Sequence, residues 1–257
     1  MNDIERQREH FEGVSEQYFF ARQNRNHLRF KYLLWKSFFE DKRNLLCNGN
    51  KVLEPMCGYS EGKAILETHF GEPIRYTGFD FSRPLVDEAK LRYPDTNIFV
   101  GDVTCFEASE QYDVIILIGG LHHVYAHTKD VLDRITSALK SGGYFINFEP
   151  TQNNSLFRFV RERIYKSNKI FDDETERAYN LDELNRLYAA SGLHIVDQIY
   201  PGLLAYIMYY NPDAFPILNL GGESTVRFLF GLEKYFYRTS LARKLSFATL
   251  TLLQKNK

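Results

Sequence analysis

The sequence predicts an α/β fold built on a doubly wound, mainly parallel sheet. Three observations predict it. From residue 51 onward, short β-rich runs alternate with helical runs, the rhythm of a parallel sheet covered on both faces. The run Val114-Ile115-Ile116-Leu117-Ile118 is apolar without a break, as a strand buried on both sides requires. The predicted strands end in acids or glycines, residue types suited to the ligand crevice of an open α/β sheet.

Taken in order, residues 3–45 read as helical. Leu28, Tyr32, Trp35 and Phe39 recur there at helical spacing, with charges between them. Strands are predicted at Lys51–Glu54, Ile74–Asp80, Asn97–Val100, Tyr112–Ile118 and Tyr144–Glu149, with helices near 61–69, 83–92 and 128–140. After 150 the rhythm loosens. Leu156 to Tyr165 reads as helical. Asn180-Leu181-Asp182-Glu183 has the shape of a capping box and opens a helix that ends at Gly192. Leu193–Tyr200 and Leu245–Gln254 read as the last two strands. The long segment 201–244 between them is too apolar for disorder and reads as a lid.

The 257 residues are 44% hydrophobic and 25% charged, which excludes wholesale disorder and a fibrous fold. A chain of this length can bury a full core. One domain is expected: an N-terminal helical cap at 1–45, a core at 51–150, substrate-side helices, lid and sixth strand at 151–244, and the last strand at 245–257. Lys plus Arg number 32 against 33 Asp plus Glu. The net charge of -1 gives no global pull toward nucleic acid or an anionic membrane, although it is compatible with a local basic patch. The 3 cysteines, at 47, 57 and 105, form no disulfide framework or zinc pattern and suit a reducing cytoplasm. The charged first ten residues have no leader-like apolar stretch. Gly202–Leu220 is broken by Asn211, Pro212, Asp213 and Pro216, so no spanning helix is expected. Aromatic residues reach 15%, which points either to an aromatic core or to an apolar substrate chamber.

The chemistry concentrates at the strand ends. The first strand runs Val52-Leu53-Glu54-Pro55-Met56-Cys57-Gly58-Tyr59-Ser60-Glu61-Gly62. Glu54 is placed to accept hydrogen bonds from an ammonium group, and glycine there lets backbone approach a ligand. The second strand ends Gly78-Phe79-Asp80-Phe81-Ser82, and a carboxylate at that tip can bind both hydroxyls of a ribose. Asp80 lies 18 residues beyond Gly62, close to the roughly 20 such a role expects. The third ends Val100-Gly101-Asp102-Val103, where Asp102 can accept from an exocyclic adenine amine and Val103 can offer an amide. The fourth ends Ile118-Gly119-Gly120-Leu121-His122-His123, facing the same crevice.

In order and spacing, these stretches resemble the class I S-adenosylmethionine-dependent methyltransferase family, in the small-molecule branch that includes the ubiquinone and sterol methyltransferases. Val52–Gly58 resembles motif I, and Gly78–Ser82 the motif that follows it. Gly101-Asp102-Val103 resembles motif II, and Gly119–Val124 the Leu-His-His form of motif IV. Leu139–Pro150 resembles the Leu-Lys-Pro-Gly-Gly run into strand five. Where the family has the first and third glycines of motif I, this chain has Met56 and Ser60. The resemblance implies a Rossmann-like seven-stranded sheet with its last strand antiparallel, and a helical cap. It implies S-adenosyl-L-methionine as cofactor and S-adenosyl-L-homocysteine as product. It places Glu54 near the methionyl amine, Met56 and Gly58 as backbone contacts, and Asp80 on the ribose. Phe81 falls beside the adenine, Asp102 and Val103 on its edge, and Gly119 near the sulfonium. Tyr18 becomes a contact from an N-terminal helix that closes over the cofactor.

Methyl transfer is an in-line displacement, in which the protein supplies alignment, desolvation and, for a hydroxyl nucleophile, a base. His122 and His123 are the candidate bases; the other reading packs a histidine under the loop. Consecutive residues point differently, so one of the two at most faces the methyl, and His127 is expected to start the next helix. Glu149 either touches substrate or caps the next turn. The basic run of Arg158, Arg161, Arg163, Lys166 and Lys169 is either a solvated helix face or a grip on an anionic substrate. The aromatic segment around Tyr206, Tyr209, Tyr210, Phe215, Phe228 and Tyr235 walls a substrate chamber, forms a homodimer interface or packs in the core. The expected acceptor is a small molecule, anionic or partly apolar, methylated first of all at oxygen, with nitrogen and carbon as alternatives. No metal, nucleic-acid partner or transmembrane segment is expected, and the expected location is cytoplasmic. Two other classes stay open. One is a nicotinamide-dependent oxidoreductase, whose Gly-x-Gly-x-x-Gly pattern Met56 and Ser60 break. The other is a non-catalytic module that keeps the cofactor site.

Overall fold

The computed structural model describes residues 13, 19–20, 22–71, 74–153, 177–212 and 216–256. Tyr18, the Leu156–Tyr165 helix with its basic run, and Phe215 lie outside the described residues. Seven strands form one sheet: β1 (Lys51–Pro55), β2 (Arg75–Asp80), β3 (Asn97–Val100), β4 (Tyr112–Ile118), β5 (Leu139–Pro150), β6 (Leu193–Ile199) and β7 (Ala248–Lys255). Their order is β3-β2-β1-β4-β5-β7-β6. Strands β1 to β5 pair in parallel, and β7 lies antiparallel between β5 and β6, as expected. The chain winds outward from β1 to β3, then crosses back to β4. The switch point therefore opens a crevice at the carboxyl ends of β1 and β4.

The helices are α1 (Arg25–Phe39), α2 (Glu61–Phe70), α3 (Arg83–Arg92), α4 (Thr128–Ala138), α5 (Leu181–Ala190), α6 (Leu204–Tyr209), α7 (Glu223–Glu233) and α8 (Ser240–Leu245). The period-2 alternation of the strands sends Val114, Ile116, Ile146 and Phe148 to one face, against α1, α2, α3, α6 and α7. Ile115, Leu117 and Phe145 go to the other face, against α4 and α5.

Three expectations need correction. Helix α1 buries Phe30, Leu34 and Phe38 together with Trp35 and Phe39 of the expected stripe, whereas Leu28 and Tyr32 are exposed. Two apolar stripes share Trp35 and Phe39 on this helix, and the core takes the one further round. Strand β5 begins at Leu139 rather than Tyr144. Leu139 pairs with Tyr112, and a register shift before the Val114–Tyr144 pair absorbs the extra residues. A Cβ at Gly143 would sit 2.9 Å from the Lys140 carbonyl oxygen, so only glycine lets the strand double back on itself there. Finally, the described part of 201–244 is packed rather than detached. Tyr206, Tyr209, Phe230 and Tyr237 join the core, and the Tyr200 amide donates to the Tyr237 carbonyl at 2.8 Å.

Candidate active site

The loop after β1 turns through three left-handed residues. Met56, Gly58 and Ser60 have φ of 54°, 49° and 60°, all left-handed. Two of them carry side chains in a conformation that costs an L-residue about 1–2 kcal/mol. Packing holds them there. The Cys57 amide donates to the Phe79 carbonyl at 3.0 Å, and the Ser60 amide to the Cys57 carbonyl at 2.7 Å. The half-buried Met56 packs its sulfur against Gly120, where a Cβ would come within 3.0 Å of it. By contrast, a Cβ at Gly58 would meet nothing within 4 Å, and one at Gly119 (φ 62°) only the His122 ring at 3.8 Å. Both glycines therefore open onto space where a ligand can lie against backbone.

Glu54 is engaged at both of its carboxylate oxygens. Its Oε1 accepts from the Gly62 amide at 2.7 Å, and its Oε2 from the Lys63 amide at 3.1 Å and the Tyr76 hydroxyl at 2.5 Å. It caps the start of α2, whose N-cap position, Ser60, makes no side-chain cap. Gly62 permits this, since a Cβ there would lie 2.8 Å from the carboxylate. Burial raises the Glu54 carboxyl to about 7, against the opposing pull of these hydrogen bonds.

Asp80 is buried at the tip of β2. Its Oδ2 accepts from the Gly58 amide at 3.0 Å and its Oδ1 from the Ser82 amide at 2.9 Å, so the strand tip clamps the loop. Burial raises its carboxyl, while these amides and nearby His123 pull it down. Asp102 is half-buried and takes both Thr104 bonds, each 2.8 Å, on Oδ1. Phe81 is half-buried and Val103 is buried in the core. Gly119 donates its amide to the Phe148 carbonyl at 2.7 Å.

Across the crevice lies a connected polar network. His122 Nδ1 is 2.9 Å from Glu149 Oε2. Glu149 Oε1 accepts from the Gly120 and Leu121 amides at 3.0 and 2.9 Å, and from Asn147 Nδ2 at 3.2 Å. The Tyr188 hydroxyl donates to Asn147 Oδ1 at 2.5 Å. Glu149 thus caps the turn, and it also holds His122. A carboxylate opposite Nδ1 places the proton on that nitrogen and leaves Nε2 with its lone pair. The His123 ring lies 3.9 Å from that of His122, on the Asp80 side, and the exposed His127 starts α4. Asn147 and Tyr188 were missed from sequence; the available signal was one amide inside the apolar run Phe145-Ile146-Asn147-Phe148. Among the described residues no cluster of three His, Cys, Asp or Glu can hold a metal ion.

Residues 53–145 match the family described as a methyltransferase domain. The fold is similar to that of an S-adenosylmethionine-dependent methyltransferase from Thermotoga maritima. The two are 14% identical with a TM-score of 0.60, over 96% of this chain and 99% of that one. A chain from the Haloferax volcanii Trm112 methyltransferase activator complex is 18% identical with a TM-score of 0.58, over 88% and 98%. The cyclopropane synthase MmaA2 from Mycobacterium tuberculosis is 14% identical with a TM-score of 0.56, over 82% and 79%. The matched methyltransferase domain thus lies across the switch point of the seven-stranded sheet.

Proposed function

We propose that this enzyme methylates a hydroxyl group of a small, partly apolar acceptor in the cytoplasm, with His122 as general base. The observation that carries the reading is the His122–Glu149 pair at the end of β4. A buried carboxylate that fixes one imidazole nitrogen serves a base working through the other, and it stabilises the imidazolium formed when the hydroxyl gives up its proton. An amine or carboxylate nucleophile has less need of such a device. When bound, S-adenosylmethionine supplies the electrophilic methyl and its own leaving group. The backbone at Met56, Gly58 and Gly119 would hold the methionyl and sulfonium end, with Asp80 on the ribose hydroxyls. Phe81, Asp102 and the Val103 amide would flank the adenine. His123, on the Asp80 side, serves the cofactor half of the crevice rather than the proton.

The test is formation of S-adenosylhomocysteine over panels of alcohol, phenol, amine and carboxylate acceptors, with wild type and His122→Gln side by side. Turnover is expected with hydroxyl acceptors, and the variant should lose about 10²–10⁴-fold in kcat with cofactor affinity intact. Preference for amines, or full activity in His122→Gln, would overturn the reading.

A further inference from the structure

The overall charge of -1 hides a strong asymmetry. Helix α1 carries Arg25, Arg29, Lys31 and Lys36 and no acid. Residues 216–245 carry Arg227, Lys234, Arg238, Arg243 and Lys244 against Glu223 and Glu233. These two segments therefore hold nine basic and two acidic residues, a net of +7, and the rest of the chain holds -8. They pack together. The Phe30 and Phe230 rings meet at 6.1 Å, and Asn26 Nδ2 donates to the Gly221 carbonyl at 3.2 Å.

The same region exposes large apolar side chains. Helix α7 buries Val226 and Phe230, yet its opposite side presents Phe228 and Leu232, followed by Tyr235 and Phe236, which are 51–77% exposed. Ile217, just before this helix, is 83% exposed, and Leu28 on α1 is also exposed. A helix with an apolar outer side next to cations is built to lie on something. Some of the charge is already used: Lys31 pairs with Glu61, Arg238 with Asp197 and Arg243 with Asp182. Arg25, Lys234 and Lys244 have no acidic partner among the described residues, and Lys234 stands over the Tyr235 ring at 5.2 Å.

We propose that the α1–α7 face docks this enzyme on an anionic lipid surface, with Phe228, Tyr235 and Phe236 entering the headgroup boundary and the unpaired cations meeting lipid charge. The contact is peripheral, because no helix among the described residues is long and apolar enough to cross a bilayer. Charge favours lipid over a second copy of the chain. A two-fold dimer through this face would set a net positive patch against itself, whereas an anionic bilayer neutralises it and takes up scattered apolar groups.

Co-sedimentation with phosphatidylcholine vesicles, with and without phosphatidylglycerol, tests this independently of the acceptor. Each cation near an anionic surface contributes roughly fivefold in binding. Partition onto the phosphatidylglycerol vesicles should therefore exceed that onto pure phosphatidylcholine by at least about tenfold, and should fall at high salt. The combined change Phe228→Ser, Tyr235→Ser, Phe236→Ser should abolish it, as should Arg25→Glu with Lys234→Glu. Both variants should keep the melting shift that S-adenosylhomocysteine gives the wild type, which shows that they fold. Equal partition onto the two vesicle types would overturn the proposal. So would light scattering that finds a dimer which the same serine variant splits, since the face would then be a self-interface.

Discussion

At the scale of single residues, the loop after β1 shows that packing can hold side-chain-bearing residues in a conformation that favours glycine. Met56 and Ser60 hold left-handed backbone that glycine would adopt without strain. Ser60 is buried, makes no side-chain cap and occupies a turn already fixed by backbone hydrogen bonds, so its side chain offsets little of the strain. Ser60→Gly should therefore raise stability by about 1 kcal/mol, read as a higher melting temperature; a lower one would show that the hydroxyl holds the loop. Met56→Gly should gain less, because the thioether packs on Gly120. Glu54 gives a pH signature. Its carboxyl is raised in the folded chain from an ordinary 4.5 to about 7, so its contribution to stability is complete below about pH 4.5. That contribution is lost as pH rises through about 7. Melting temperatures of wild type minus Glu54→Gln should accordingly fall across that window, and a flat difference would refute the assignment. The acid and glycines of this loop were legible in the sequence. Glu54's capping role was not, because it depends on where α2 begins in space.

At the scale of elements, legibility followed the clarity of the hydrophobic period. Strands β3 and β4 and helix α3 fall where the sequence puts them, β4 because its unbroken apolar run is short and all three because turn residues bound them. Helix α1 has two candidate stripes, and periodicity alone does not choose between them. Packing chooses, and the choice can be measured. Leu34→Ala should cost about 2–5 kcal/mol through a buried cavity, while Tyr32→Ala should stay within about 0.5 kcal/mol. Comparable losses in urea titrations would mean that Tyr32 is buried after all. The start of β5 was illegible for another reason: Ser141-Gly142-Gly143 reads as a turn, and only pairing with β4 pulls Leu139 into the sheet. The segment 201–244 looked like a lid because its apolar residues match several short elements and no long one, and its burial comes from α1 and the sheet.

At the scale of the whole molecule, the candidate base is held by residues distant in sequence. His122 leans on Glu149 from β5, Glu149 on Asn147, and Asn147 on Tyr188 from α5. The sheet order brings them together, because β4 and β5 are neighbours and α5 covers that face. No local pattern encodes such a chain, which is why Glu149 stayed ambiguous in the sequence while the histidines stood out. If Glu149 acts only by capping the turn, its loss and the loss of His122 should be independent and their effects on kcat should multiply. If it works through His122, the two behave as a unit and their effects are far from additive. Glu149→Gln keeps the shape and an acceptor oxygen for the Gly120 and Leu121 amides but removes the charge opposite Nδ1. It should lower kcat by about 10²-fold, and Glu149→Gln combined with His122→Gln should be no slower than His122→Gln alone. Cofactor affinity should stay level in all three variants, since the adenosyl half of the crevice is proposed to lie at β1, β2 and β3. A double variant slower than His122→Gln by the full factor of Glu149→Gln would separate the two residues and reduce Glu149 to a cap.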